Sequence, residues 1–519
     1  MNDGKGWRSG SLNLVLIALA LAGCNVGPDY RPPQTTLPTD WSEKIAGGAT
    51  TQPVAVVQWW KTFNDPVLDA LVHRAVQSNL DLRIAASRIR EARAQRRIVV
   101  SGEWPTINAS GSYQRTKGSE NSGFANAAAL GGSNATGGAG TTAIPATGFN
   151  PAIFSAERSL WQLGFDASWE LDVFGGIRRA VEAADADIGT AIEGRRDVLV
   201  SLLAEVAANY LDLRGIQQQI DITTANVKSQ QDTVELTRTR FNAGLTGELD
   251  VVRAEAQVAT TAAILPILQT SARRAIHRIG VLTGQLPGSL SDELSKVSPM
   301  PPTPPAIPVG LPSDLLRRRA DIRRAERQLA AATARIGVAT ADLFPKFTLT
   351  GGIGLQSDKA KSLFNSSSNF WSIGPGVRLP IFDRGRIRAR IRVEDERTSQ
   401  SLDLYENTVL LAMEEVENSL VSYAHQQTRR QSLANAVKAN RRAVDLAKKL
   451  YTSGLARPGF PGFLDVLDAQ RTLYISEEQL VISERAVATD LVALYKALGG
   501  GWEDSDTPPN QQTPKEAPQ

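Results

Sequence analysis

Two periods of apolar residues run along the chain, and they predict two kinds of element. The first has period two. In "LGFDASWELDVFGG", Leu163, Phe165, Ala167, Trp169, Leu171 and Val173 alternate with Gly164, Asp166, Ser168, Glu170 and Asp172. That pattern predicts a strand with one apolar face and one wet, acidic face. Three other ribbons repeat it. Ile107, Ala109, Gly111 and Tyr113 alternate with Thr106, Asn108, Ser110 and Ser112. Phe347, Leu349, Gly351, Ile353 and Leu355 alternate with Thr348, Thr350, Gly352 and Gly354. Trp371, Ile373, Pro375, Val377 and Leu379 alternate with Ser372, Gly374, Gly376 and Arg378. The strands lie near 105–115, 162–173, 345–356 and 370–380, as two hairpins with tips near 116–160 and 357–369. Each spans about 10 residues, the reach of a tilted strand across a bilayer.

The second period is seven. No proline falls between Ile177 and Phe241, and Ile192, Leu199, Val206, Leu213, Ile220, Val227, Val234 and Phe241 recur at heptad spacing. Leu203 and Tyr210 supply alternate positions before the seam turns polar at Gln217 and Thr224. This is a coiled-coil pattern over 177–243, and at about 1.5 Å per residue the helix reaches on the order of 100 Å. A second copy over 385–453 places Leu402, Val409, Val416, Tyr423, Val437, Val444 and Tyr451 on its seam, with Arg430 the single lapse. Two shorter helices accompany each long one, in the second half from about Ser313 to Asp342 and from about Phe463 to Leu498. Their combined length approaches that of the long helix, which predicts end-to-end stacking beside it. Gly and Pro break the helical pattern at 242–247 and 453–462.

The two halves are copies of one plan. Asp81, Arg83, Ala85 and Pro105 precede Asp321, Arg323, Ala325 and Pro345 by 240 positions. Farther on the offset is 210, pairing Gly164 with Gly374, Glu205 with Glu415, Val206 with Val416, Phe241 with Tyr451 and Gly244 with Gly454. The first half thus carries 30 extra residues, in a Gly/Ala/Asn/Thr-rich stretch that reads as a mobile loop. The expected organisation is a signal peptide (1–23), an N-terminal extension (24–65), a first repeat (66–290), a proline-rich linker (291–312), a second repeat (313–499) and a disordered tail (500–519).

Four ribbons need a partner for their edges. A soluble sheet with one dry face would account for any one of them. Four together, small and polar on the wet side and flanked by very long helices, favour a membrane barrel. Bilayer strands leave no open edge, and the smallest bacterial barrels use about eight strands, so several chains must contribute and a homo-oligomer follows. Cys24, the sole cysteine, excludes an internal disulfide framework. It ends "LAGC" after Lys5, Arg8 and an apolar run too short to span a bilayer. "LAGC" resembles a bacterial lipobox, in which the cysteine is lipidated. An ordinary signal peptide with an incidental cysteine is the alternative. Asn25, where an aspartate would retain a lipoprotein at the inner membrane, points by analogy to the outer one. No other apolar run approaches the length of a spanning helix.

Composition removes other classes. The 57 Lys and Arg nearly balance the 54 Asp and Glu, so no global charge argues for nucleic acid. Arg317, Arg318, Arg319, Arg323, Arg324 and Arg327 read as a solvated or packed helix face. "GGIG" (351–354) lacks the dinucleotide fingerprint. No triad or metal cluster stands out among three scattered histidines, and neither enzyme activity nor a cofactor is expected.

With these features the chain resembles the TolC-like outer-membrane efflux proteins, in particular the NodT-type lipoprotein subfamily serving resistance-nodulation-division pumps. The resemblance covers about 28–498. It is carried by "GPDYRPP" (27–33), "WELDVFGGIRRAVEAA" (169–184), 311–345, "LPIFDRGRIRA" (379–389) and "FLDVLDAQRTLY" (463–474). Ala320 stands where the family usually has proline, which bears on a helix start. The resemblance implies a mainly α fold with a membrane β-barrel: a homotrimer whose twelve strands form one barrel and whose twelve helices form a periplasmic coiled-coil tunnel. It implies lipid on Cys24, a place in the outer membrane, a periplasmic adaptor and an inner-membrane transporter as partners, and passive export with no bond made. It also implies a gate at the hairpin tips. Asp465 and Asp468 match paired aspartates that ring the closed pore, and the i, i+3 spacing puts them on one helix face. Acids in a first turn also offset the helix dipole, which is the plainer role. Tyr451 and Asp250 fall where relatives link the tips, while Arg457 sits one position off the matching arginine. A protein-secretion duct and a lipid-tethered coiled-coil scaffold without a pore remain as alternatives.

Overall fold

A computed structural model describes residues 25–43, 49–50, 57–117, 157–304, 307–452 and 462–502. The signal-peptide and lipobox residues, Arg457, most of the Gly/Ala-rich stretch and 503–519 lie outside them. The chain divides into two compact units, one from the described residues of 1–29, 94–184 and 333–396, the other from those of 30–93, 185–332 and 397–519.

The first unit holds one antiparallel sheet of four strands, β1 (Thr106–Thr116), β2 (Arg158–Leu171), β3 (Lys346–Ser357) and β4 (Asn369–Arg378), in that order. Register joins the four apolar faces into one. Ala109, Phe165, Ile353 and Trp371 form one row, and Ile107, Ala167, Gly351 and Ile373 the next. Asn108, Asp166, Gly352 and Ser372 form a row on the opposite face. A one-residue slip would mix the faces, so the period-two pattern specifies the pairing. Strand passes to helix at Gly175 (φ 79°) and at its repeat mate Gly385 (φ 85°), in the left-handed region that only glycine enters freely. The first of these turns is occupied. Val26 N donates to Phe174 O, and Arg179 donates to Val26 O (3.1 Å), Gly27 O (3.3 Å) and Asp29 Oδ1 (2.7 Å). Gly27 crosses so close that a Cβ there would lie 2.5 Å from Gly337 Cα. At Gly385 a Cβ would meet nothing within 4 Å.

The α-helices longer than one turn among the described residues are α1 (Pro66–Ser78), α2 (Leu80–Ser101), α3 (Gly176–Asn242), α4 (Glu248–Ala262), α5 (Leu265–Leu282), α6 (Ala320–Ala341), α7 (Arg386–Thr452) and α8 (Phe463–Ala497). Within the second unit, Leu199, Leu203, Val206, Tyr210 and Leu213 of α3 and Val409, Val416 and Tyr423 of α7 build the main core with α1, α5 and α8. Trp59 stacks on Tyr495 at 5.3 Å within it. The short helices do meet end to end, by one device used twice. Asn79 Nδ2 donates to Leu282 O (2.9 Å), and Arg319 Nη1, 240 positions later, donates to Ala497 O (2.8 Å). Each side chain satisfies a carbonyl left free at a helix C-terminus. Gly284 (φ 70°) and Gly499 (φ 72°) follow those termini in the left-handed conformation.

Four expectations need correction. The helix expected from Ser313 is broken: Leu315–Arg318 form one turn, Arg319 is extended (φ −72°, ψ 120°), and α6 begins at Ala320. The backbone thus takes the bend that a proline at 320 would enforce. The apolar seam of α3 also stops early. Beyond Ile216 its buried positions are Gln217, Gln219, Thr223, Gln230, Thr233 and Thr237, while Phe241 is 40% exposed. A straight helix drifts about 20° per heptad against a strict seven-residue repeat, and the stripe has rotated away. α7 keeps its seam buried at Val437, Val444 and Tyr451. Third, the stretch from Glu248 to Leu282, α4 and α5 together, is long and apolar enough to cross a membrane by length and composition, where no second such run was expected; ion pairs from Arg238 to Glu255 and from Arg278 to Glu205 join it to α3. Fourth, packing continues past residue 500. Trp502 is buried, donates to Arg318 O (2.9 Å) and lies under Arg196 at 4.3 Å.

Candidate pore wall and gate

The apolar face of the sheet is uncovered within the protomer: Ile107 is 68% exposed, Phe165 59%, Ile353 64% and Trp371 76%. Aromatic residues bound it at both ends. Tyr113 and Trp161 pack at 4.3 Å at the hairpin-tip end, while Trp169 donates Nε1 to Glu103 O at the helix end. Eight residues separate Trp161 from Trp169 along β2, about 26 Å at strand rise. Tilted by about 35–45°, that length spans about 19–22 Å of height, somewhat under the apolar band of about 25 Å between aromatic girdles in outer-membrane barrels. Among the described residues β1 and β4 each have one neighbour, so their outer edges carry unpaired backbone groups, which cannot persist in hydrocarbon.

The opposite face is mostly small and polar, with Leu160 and Phe370 its bulky apolar members toward the hairpin tips. Asn108 Nδ2 donates to Asp166 Oδ2 (3.1 Å), and Thr350 Oγ1 donates to Gly374 O (3.2 Å). Glycines Gly164, Gly352, Gly354, Gly374 and Gly376 leave little bulk there. Among the described residues nothing forms a metal cluster.

The tips of the helix hairpins belong to the second unit. Asp465 and Asp468 lie exposed in the first turns of α8, on one face. Asp465 also caps its helix, since its Oδ2 accepts from Gly462 N at 2.6 Å. Tyr451 is buried with Phe463, Val466, Ala254 and Ala447 in a small cluster separate from the main core. Asp250 accepts from Thr246 Oγ1 (2.5 Å), and the Tyr451 hydroxyl is buried with no hydrogen-bond partner among the described residues. Within one chain Tyr451 and Asp250 are therefore not hydrogen-bonded to each other. The arginine on Tyr451 is one that sequence reasoning missed: Arg240, in the last turn of α3, stands 4.5 Å over its ring. The signal available was its place beside Phe241, the repeat mate of Tyr451. Replacing Arg240 by methionine keeps the apolar stem and removes a cation–π contact worth about 0.5–1 kcal/mol. Amide exchange in the residues around Tyr451 and Phe463 should rise about two- to five-fold, with the main core unchanged; uniform exchange would refute a local role.

A β-sheet built for lipid on one face and water on the other, joined to helices of 67 residues, defines a membrane channel component. The chain belongs to the outer membrane efflux protein family, whose model matches residues 71–285 and 311–500. It is similar to nodulation protein T of Rhizobium leguminosarum bv. trifolii, with 34% identity covering 93% of this chain and 96% of the relative. It is 32% identical to the solvent efflux pump outer membrane protein SrpC of Pseudomonas putida, over 93% of this chain and 97% of that protein. The solved outer-membrane channel OprN superposes with a TM-score of 0.80 at 36% identity, covering 92% of this chain and 100% of that chain. The family and the solved neighbours are outer-membrane channel proteins, not enzymes.

Proposed function

We propose that the protein is the passive, gated exit duct of a tripartite efflux system in the outer membrane. The observation that carries this is the open-edged, two-faced sheet. Three chains would pair β1 of one copy with β4 of the next and close twelve strands into a barrel. The wet faces then line the bore, and the apolar faces meet lipid. The long helices of three chains would form the periplasmic tunnel, on which a periplasmic adaptor and an inner-membrane proton-driven transporter dock. Lipid on Cys24 would tether the N-terminus, and the strap from Asn25 to Asp29 brings that end to the turn at Gly175. At the tips, six carboxylates from Asp465 and Asp468 would crowd a narrow opening and attract cations, and Tyr451, Asp250 and Arg457 would link neighbouring copies in the closed state, not bond one another within one chain.

The efflux reading, over a protein-secretion duct, is supported by the similarity to a solvent efflux pump protein across nearly the whole chain. Single-channel recording in planar bilayers tests it. The purified protein should run as a heat-sensitive trimer on gels and conduct, more readily once Asp465 and Asp468 are both changed to alanine. A trimer giving no conductance even with both changes would overturn the reading. So would a monodisperse monomer in detergent and membranes alike.

A further inference from the structure

We infer that Asp166 sets the charge preference of the barrel bore, separately from the carboxylates at the helix tips. This rests on the pore reading above and adds a residue to it. Asp166 lies midway along β2 on the wet face, four residues from the row of Gln162 and Gln356 and four from Glu170. Its row is Asn108, Asp166, Gly352 and Ser372, and the residues two positions away on its own strand are Gly164 and Ser168. None of these carries a charge. None is bulky enough to cover a carboxylate, and Asp166 is exposed. Its described hydrogen-bond donor is the neutral amide of Asn108, at 3.1 Å.

The other charges on this side of the sheet stand in company of opposite sign near the strand ends. Glu170 lies 3.8 Å from Lys346, which also pairs with Asp342 at 3.0 Å. Asp342 pairs in turn with Arg390 (3.2 Å), and Asp172 with Arg178 (3.3 Å). Arg378 stands opposite Lys346 in register, so it joins this mixed group. The nearest cations of that group, Lys346 and Arg378, are six residues from the Asp166 row, about 20 Å along the strand, and Glu170, held by Lys346, is four residues away. Beyond the other end, Arg158 faces Asp358 at 3.7 Å. The middle of the wet face therefore carries one formal charge per chain, and it is negative. Three copies around one bore make an uncompensated anionic level. Gly164 and Gly352 beside Asp166 add no bulk, and the nearest large side chain on this face, Phe370, lies over Gly354 in the adjacent row two strands away, so mobile ions sample the field directly.

The field of such a ring reaches about 10 Å at 0.1 M salt and only about 3 Å at 1 M. The preference must then be visible at low salt and fade at high salt, which a size filter would not do. The experiment measures reversal potential in a KCl gradient centred on about 0.1 M, in the background with Asp465 and Asp468 changed to alanine, so that the tips contribute nothing. Asp166→Asn, nearly isosteric and still able to bond Asn108, should lower the potassium-to-chloride permeability ratio about threefold. Ser372→Lys adds a cation to the same row without touching Asp166, and should shift the ratio the same way. Both differences should shrink at about 1 M salt. Conducting Asp166→Asn and Ser372→Lys channels with the parent's reversal potential would overturn the inference and leave the pore reading intact. A parent channel that never conducts would overturn the pore reading, and this inference with it.

Discussion

Replacing Arg319 by alanine is expected to lower unfolding stability by about 3–5 kcal/mol, the cost of breaking a buried ion pair from one side. Its side chain is 9% exposed and makes four contacts that fix three elements. Nε and Nη2 grip Asp321 at 3.1 and 2.6 Å, Nη1 reaches Ala497 O at 2.8 Å, and Glu415 lies 2.8 Å away. Alanine would strand the Asp321 carboxylate and the α8 carbonyl together. Lysine should recover less than half, because a point charge cannot reproduce the two-pronged grip. Burial alone would raise the Asp321 carboxyl, but the hydrogen bonds and charge of Arg319 outweigh it and hold it below the ordinary carboxylate value. The pair's contribution is thus complete above the ordinary carboxylate range and lost as pH falls through the depressed value. Urea unfolding in detergent at neutral pH checks the loss, and repeating it near pH 3 should narrow the gap between wild type and variant. A deficit under 1 kcal/mol at neutral pH would contradict the role.

How much of this was legible depended on whether a feature repeats. The four ribbons were readable because a pleated strand alternates strictly, and one acidic and one greasy side admit a single register. The duplication was readable because Asp81 and Asp321 keep their offset, and it foretold the helix junctions, though not that Asn79 and Arg319 would do the joining. The heptads misled in α3, since Ile220, Val227 and Val234 keep the spacing while the buried stripe moves to threonines and glutamines. Single contacts left no pattern to read. Arg240 on Tyr451, Trp502 under Arg196 and the Gly27–Gly337 crossing each join residues whose neighbours in sequence say nothing of the partner. The bend at Arg319 was hidden for a related reason: proline would have marked it, and Ala320 does not. For the tip aspartates the plainer role is visible at Asp465, which caps α8, and that role is compatible with a ring because the cap uses one carboxylate oxygen.

Replacing Phe165 by arginine should prevent assembly in the membrane, while Ser168→Arg, three residues along the same strand, should assemble normally. Phe165 lies four residues from Trp161 and four from Trp169, so it sits at the middle of the apolar band. An arginine on the lipid face at that depth costs about 2–4 kcal/mol in an outer-membrane barrel. Under the trimer reading each of three copies bears that cost, so the assembled barrel loses about three times as much. Ser168 points to the other side, in a row with Thr106, Thr350 and Gly374, where an arginine stays hydrated. Local backbone cannot explain a difference, since both residues are exposed in mid-strand with hydrogen-bonded neighbours on either side. Heat-sensitive trimer in isolated outer membranes, measured for both variants at equal expression, gives the answer. Equal loss in the two would mean the sheet has no distinct lipid side, and loss in Ser168→Arg alone would mean that its faces are reversed.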